Sequence, residues 1–275
     1  MSRYDFRKPR LHVEAPLEEG AVVELARPQT HYLIDVLRLT SGDGILVFNG
    51  RDGEWQATLE ARKRAALLHV GAHTRPQVAP ADLHYLFAPL KAARLDYMVQ
   101  KAVEMGVSRL QPVLTRFGQV ARINTARMRA NCIEAAEQCG LLALPEIAEP
   151  VELSRLLAAP KAVRHEAECQ EAGRHLIFCD EDAAPGDPVA ALAAVPPRSP
   201  LAVLIGPEGG FADDERAMLM QRPNVVRLAL GPRILRADTA AVAALALVQA
   251  VLGDWRRTDD GQQTTEDGRR KTKDR

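Results

Sequence analysis

The sequence predicts an α/β protein in two parts: a small β-rich N-terminal domain over residues 1–75 and a larger domain over 81–255 built on a parallel sheet. Three observations predict it. Short apolar runs punctuated by tight-turn signals fill the first 75 residues. A segment with two prolines and no periodicity, Thr74 to Pro80, reads as a linker. Beyond it, strand-like apolar runs alternate with helical ones. With 275 residues there is ample chain for a core in each part.

In the first part, Val22 to Leu25, Gly44 to Phe48, Trp55 to Leu59 and Leu67 to Val70 read as strands, with Ser41-Gly42-Asp43-Gly44 and Asn49-Gly50 as turns. A helix over His31 to Leu39 is expected among them, because Leu33, Val36 and Leu37 fall at helical spacing. In the second part the strands are Leu83 to Ala88, Leu110 to Leu114, Leu176 to Cys179, Leu201 to Ile205 and Val225 to Leu230. The first helix, Arg94 to Met105, places Leu95, Met98, Val99 and Ala102 on one face and ends at Gly106. Further helices are expected at Thr125 to Gln138, Pro188 to Ala194, Asp213 to Gln221 and Thr239 to Leu252. Such alternation implies helices on both faces of a parallel sheet. Residues 256–275 hold no apolar side chain, so a disordered polar tail is expected there.

Composition excludes several classes. Lys+Arg and Asp+Glu are both 36, a formal charge of +0 that rules out a uniformly basic nucleic-acid coat. The balance hides segregation: residues 84–130 hold eight basic and two acidic side chains, while 131–200 hold five and twelve. The first ten residues add Arg3, Arg7, Lys8 and Arg10 against Asp5. One polyanion-facing side is one reading and solvated helix faces another. No apolar run approaches the ~18 residues of a membrane span. The charged N-terminus lacks the apolar core of a signal peptide, so a cytoplasmic protein is expected. Cys132, Cys139, Cys169 and Cys179 show no CxxC spacing, and the pair His165 and Cys169 has no second pair to complete a zinc site, so inert thiols and no metal are expected.

Two loops carry the chemistry. The strand Leu201 to Ile205 runs into Gly206-Pro207-Glu208-Gly209-Gly210-Phe211, with Asp213 or Asp214 placed to cap the next helix. About 25 residues later Val225 to Leu230 runs into Gly231-Pro232-Arg233-Ile234-Leu235-Arg236, with Asp238 or Thr239 as cap and Arg233 or Arg236 at a pocket mouth. In open α/β sheets the ligand crevice lies beyond the carboxyl ends of strands, where glycines permit close backbone approach. Neither GxxxxGK[ST] nor GxGxxG is present, so a nucleotide-like ligand without a triphosphate fits better than ATP. An ordinary strand-to-helix turn and a surface ion pair are the blander readings. The Ala-rich segment from Ala240 permits close helix packing and a subunit interface.

At these residues the sequence resembles a known family. LIGPEGGF, LALGPRILRADTAA, LDYMVQKAVEMGV and AAEQCG together resemble the RsmE family of 16S rRNA uridine N3-methyltransferases. PRLHV and HYLIDVLRLTSGDGILVFNG resemble that family's opening motif and its PUA-like RNA-binding β-barrel. The resemblance implies a SPOUT α/β domain with a deep trefoil knot, a homodimer, and S-adenosylmethionine held in the knot loops. It also implies methylation of the uridine usually numbered 1498 in 16S rRNA within the 30S subunit. Carried over, Gly206, Pro207, Glu208, Gly209 and Gly210 form the first cofactor loop, and Leu230, Gly231, Ile234, Leu235, Arg236 and Thr239 the second. Arg3, Arg7, Arg10 and Arg38 are the expected RNA phosphate contacts. The chain departs from the family at Ala237 and Asp238, where Thr and Glu are usual, at Leu141, where Arg is usual, and at His12, where an aromatic is common.

Uracil N3 is protonated and weakly nucleophilic at neutral pH. A cation beside the base carbonyls would favour the anion, which makes Arg236 the candidate catalytic residue. Asp238 and Glu208 remain open as the base. A non-catalytic rRNA-binding protein, a SPOUT methyltransferase with another RNA target and a dinucleotide enzyme are the alternatives; the missing GxGxxG speaks against the last.

Overall fold

A computed structural model describes residues 8–62, 65–120, 122–157 and 173–255. The expected polar tail lies outside the described residues, as do Arg3, Arg7 and Cys169.

The N-terminal part is a five-stranded sheet of β1 (Arg10–His12), β2 (Val22–Glu24), β3 (Gly44–Phe48), β4 (Glu54–Ala61) and β5 (Ala66–Arg75), in the order β1-β3-β4-β5-β2. β1 runs parallel to β3, and the other pairs are antiparallel. The turn between β3 and β4 is held by Asn49, whose side-chain oxygen accepts from the Arg51 and Asp52 N–H groups at 3.0 and 2.9 Å. Alternate residues of these strands, among them Leu11, Val23, Ile45, Val47, Leu59 and Leu68, form a small core.

Two expectations shift here, and β1 is not among the strands expected. The helix expected over His31 to Leu39 begins earlier, as α1 (Arg27–His31) with Pro28 in its first turn, and continues as a π-helical turn over Tyr32–Val36. The Leu37 N–H reaches back five residues to the Tyr32 carbonyl. That wider turn buries Leu33 and leaves Val36 exposed. β1, three residues long, gives no periodicity to detect. The linker starts at Pro76 rather than Thr74, because Thr74 and Arg75 extend β5 and bond to Glu54.

The second part is a parallel sheet of β6 (Leu83–Phe87), β7 (Arg109–Leu114), β8 (Glu146–Ile147), β10 (His175–Cys179), β11 (Leu201–Ile205) and β12 (Val225–Leu228), ordered β12-β10-β11-β6-β7-β8. β9 (Val151–Glu152) pairs with β7. Helices α2 (Ala92–Glu104), α3 (Thr125–Cys139), α5 (Pro188–Ala193) and α7 (Ala237–Val251) cover one face, and α4 (Leu153–Leu157) and α6 (Asp213–Met220) the other. Strand alternation divides the core between them. Tyr85, Phe87, Ile177, Val203 and Ile205 face α2, α3 and α7. Leu86, Leu176, Phe178, Ala202 and Leu204 face Leu153, Leu156 and Leu219. Both faces are apolar, which is why these strands read as unbroken apolar runs.

The two parts are packed on one another. Phe48 from β3 belongs to the larger core. The His12 N–H donates to Glu137 at 2.8 Å, and Arg75 donates to the Gly140 carbonyl at 3.0 Å. No helix among the described residues is long and apolar enough to cross a membrane.

Candidate functional site

The chain visits β10, β11 and β12 in that order, yet β10 lies between the other two. Its connections therefore leave on opposite sides of β10, and a crevice opens at the carboxyl ends of the three strands. A cleft of about 590 Å³ occupies that place. Its walls are 205–210, following β11, and 228–237, following β12. Ten of the expected cofactor residues therefore converge: Gly206, Pro207, Glu208, Gly209, Gly210, Leu230, Gly231, Ile234, Leu235 and Arg236. Arg233 joins them. Thr239 does not line the cleft; it sits exposed in the first turn of α7.

A third wall was not expected from the sequence. Cys179, Asp180, Glu181 and Ala183 follow β10 into the cleft. The position of this loop at the end of a buried strand was the available signal, but no glycine marked it. The Asp180 side chain is fully buried, accepting from Arg227 Nε at 2.7 Å and Arg216 Nε at 3.1 Å. The pair of guanidiniums holds the start of this wall against α6 and β12.

The glycines serve the protein itself more than the sequence suggests. A Cβ on Gly206 would lie 2.4 Å from the Phe211 ring, and one on Gly209 would lie 3.1 Å from Phe117 Cβ. Gly210 has φ +72°, and a Cβ there would meet the Glu181 carboxylate at 2.2 Å. These absences are needed for the loop to fold upon its neighbours. At Gly231, with φ +97°, nothing lies within 4 Å of a Cβ.

Neither helix after these loops is capped by an aspartate as expected. Ala212 occupies the N-cap of α6, and the Glu215 carboxylate closes that end by accepting from the Ala212 N–H at 2.9 Å. At α7 the N-cap is Arg236, with Asp238 inside the first turn. Arg236 is largely exposed, its Nε 3.7 Å from Asp238 Oδ1. Arg94 from α2 donates to Glu208, and this bond holds the Glu208 carboxyl below its usual range.

Tertiary structure brings carboxylates to most of the basic stretch over 84–130. Six of its eight cations have carboxylate partners: Arg94 with Glu208, Lys101 with Glu104, Arg109 with Glu146, Arg116 with Asp214, Arg127 with Asp96 and Arg129 with Glu14. Charges segregated along the chain become paired in space. Arg10, expected on RNA phosphate, lies in the interior bonded to Glu54 at 2.9 Å, as a buried cation requires. Arg38 is exposed, with φ +58°.

The family described as "RNA methyltransferase domain" matches residues 77–249, and the "RNA methyltransferase PUA domain" matches 25–70. A ribosomal RNA small subunit methyltransferase E of Rickettsia conorii is 28% identical, covering 87% of this chain and 94% of its own. A methyltransferase of Legionella pneumophila, solved with bound S-adenosylmethionine, is 30% identical with a TM-score of 0.75, covering 90% of this chain and 99% of its own. The fold is also that of ribosomal RNA small subunit methyltransferase E from Neisseria gonorrhoeae, 24% identical with a TM-score of 0.76, covering 91% and 100% of the two chains.

Proposed function

The chain belongs to the RNA methyltransferase family, and from that premise we propose that it methylates N3 of one uridine in the 16S rRNA of the small ribosomal subunit with S-adenosylmethionine. The observation that carries the reading is the cleft at the point where strand order reverses, walled by the two Gly-Pro loops. Its size suits a small ligand. Leu228, Leu230 and Ala240 offer apolar surface to an adenine, and the chain at Gly206 to Gly210 offers main-chain polar groups. The Legionella relative with its bound S-adenosylmethionine supports the cofactor, and the names of the curated relatives support the rRNA target.

When bound, S-adenosylmethionine supplies an electrophilic sulfonium methyl. Arg236 stands at the cleft wall with its guanidinium exposed to an incoming base, where it stabilises negative charge on the uracil carbonyls as N3 loses its proton. Glu208 is engaged by Arg94 and braces its loop. Residues 1–75 act as the PUA-like RNA-binding barrel and 81–255 as the SPOUT domain. The trefoil knot, the homodimer, action on the assembled 30S particle and a cytoplasmic location belong to the same proposal. Arg3, Arg7 and Arg38 remain the proposed phosphate contacts of the N-terminal part. Arg116, Arg127 and Arg129 are more than half exposed, so their surface ion pairs are weak enough to exchange for phosphates.

Mass spectrometry of small-subunit rRNA from a strain lacking this protein tests the reading. Loss of one N3-methyluridine is expected; persistence of every such nucleotide would refute it.

A further inference from the structure

We propose that Phe117 is the platform on which the target base stacks, an inference that rests on the reading of the protein as an RNA methyltransferase. Aromatics make up only 4% of the chain, and Phe48, Tyr85, Phe87, Phe178 and Phe211 are buried in its cores. Tyr97, Phe117 and Trp255 are the large aromatics left exposed among the described residues, and Phe117 is the one without a polar atom to offer water. It is 47% exposed. An apolar ring held half in solvent calls for a partner.

Its position identifies that partner. A Cβ on Gly209, a residue of the cleft wall, would lie 3.1 Å from Phe117 Cβ, so Phe117 is a direct neighbour of the loop beside which the base must be presented. The turn that carries it is held in place. The Gly118 N–H donates to the Thr115 carbonyl at 3.0 Å, and the Arg116 N–H donates to Glu215 Oε1 at 2.8 Å. The same Glu215 carboxylate closes the N-terminus of α6, so the aromatic turn and the helix after the first Gly-Pro loop share one anchor. A uridine within folded rRNA must leave its stack to reach the cleft, and a fixed aromatic face recovers part of the stacking it gives up. The partner is an unstacked pyrimidine base. Arg116, paired with Asp214 at 2.5 Å, adds a cation next to the ring for the adjoining phosphate.

The test measures methyl transfer from labelled S-adenosylmethionine to small subunits taken from a strain lacking the protein, for wild type and for Phe117→Ala, Phe117→Leu, Phe117→Tyr and Phe117→Trp. Ala and Leu should each lower kcat/KM for the RNA by about ten-fold or more, since Leu keeps apolar packing on Gly209 but has no face to stack. Tyr and Trp should restore it. For Phe117→Leu, which keeps the packing on Gly209, calorimetric affinity for S-adenosylmethionine and the salt dependence of RNA binding should stay at wild-type values. Wild-type kcat/KM in the Leu variant, or Tyr and Trp as defective as Ala, would overturn the stacking role alone. Absence of transfer by the wild type would overturn the enzymatic reading and the stacking role with it.

Discussion

Replacing Gly206 by Ala isolates what the first Gly-Pro loop needs from its glycines. The added Cβ would lie 2.4, 2.9 and 3.0 Å from three atoms of the Phe211 ring, where carbon atoms prefer about 3.5–4.0 Å. The ring has no room to retreat. It is 4% exposed and packs edge-on against Phe178 with centroids 5.1 Å apart. Overpacking of this kind costs about 1–3 kcal/mol, and a rigid ring close to the loop backbone argues for the upper part of that range. At a urea slope of about 3 kcal/mol per M, a loss of about 2 kcal/mol lowers the unfolding midpoint by roughly 0.7 M. The assay is urea unfolding followed by circular dichroism, run on Gly206→Ala, Phe211→Leu and the double variant. Because Leu leaves space where the new methyl must go, the double variant should be less destabilised than the sum of the single ones by about 1 kcal/mol. Calorimetry should show weaker S-adenosylmethionine binding by Gly206→Ala, since the displaced loop is a cleft wall. An unchanged midpoint for Gly206→Ala, or strict additivity in the double variant, would refute the packing explanation.

Other perturbations read different parts of the molecule. Exchanging Asp180 for Ala leaves Arg216 and Arg227 facing each other without their buried carboxylate, which should cost about 3 kcal/mol in a melting experiment and loosen the third cleft wall; a loss below about 0.5 kcal/mol would contradict this. Burial pushes the Glu137 carboxyl up to about 7, with Glu134 adding to the effect and the bond from the His12 N–H opposing it. The folded protein therefore holds this proton more tightly than the unfolded chain. Its stabilising contribution is complete below about pH 4.5 and is lost as pH rises through about 7, worth about 3 kcal/mol at most. Glu137→Gln should flatten the stability profile across that window, and an unaltered profile would show that another group sets it. Arg236→Ala should collapse methyl transfer while calorimetric affinity for S-adenosylmethionine stays near wild type; normal turnover would remove Arg236 from its catalytic role.

The second part of the fold was largely legible in the sequence. Leu201 to Ile205 is apolar at every position because both its faces are covered, and such runs between turn signals mark a parallel strand without reference to distant residues. The glycine loops were legible for the same reason, as local breaks at strand ends. By itself, then, the sequence determined where strands and helices alternate and which loops hold the glycines, since these follow from hydrophobic burial and backbone conformation within a few residues. The place of β10 between β11 and β12, which creates the cleft and adds the Cys179–Ala183 wall, is a product of long-range packing. Such packing also decided the electrostatics. Arg10 and Glu54 are 44 residues apart and Arg129 and Glu14 are 115 apart, yet each pair meets, so a charge count along the chain could not report the charge left on the surface. Strand order and ion pairing depend on which distant segments share a burial site, and no local pattern of side chains encodes that choice.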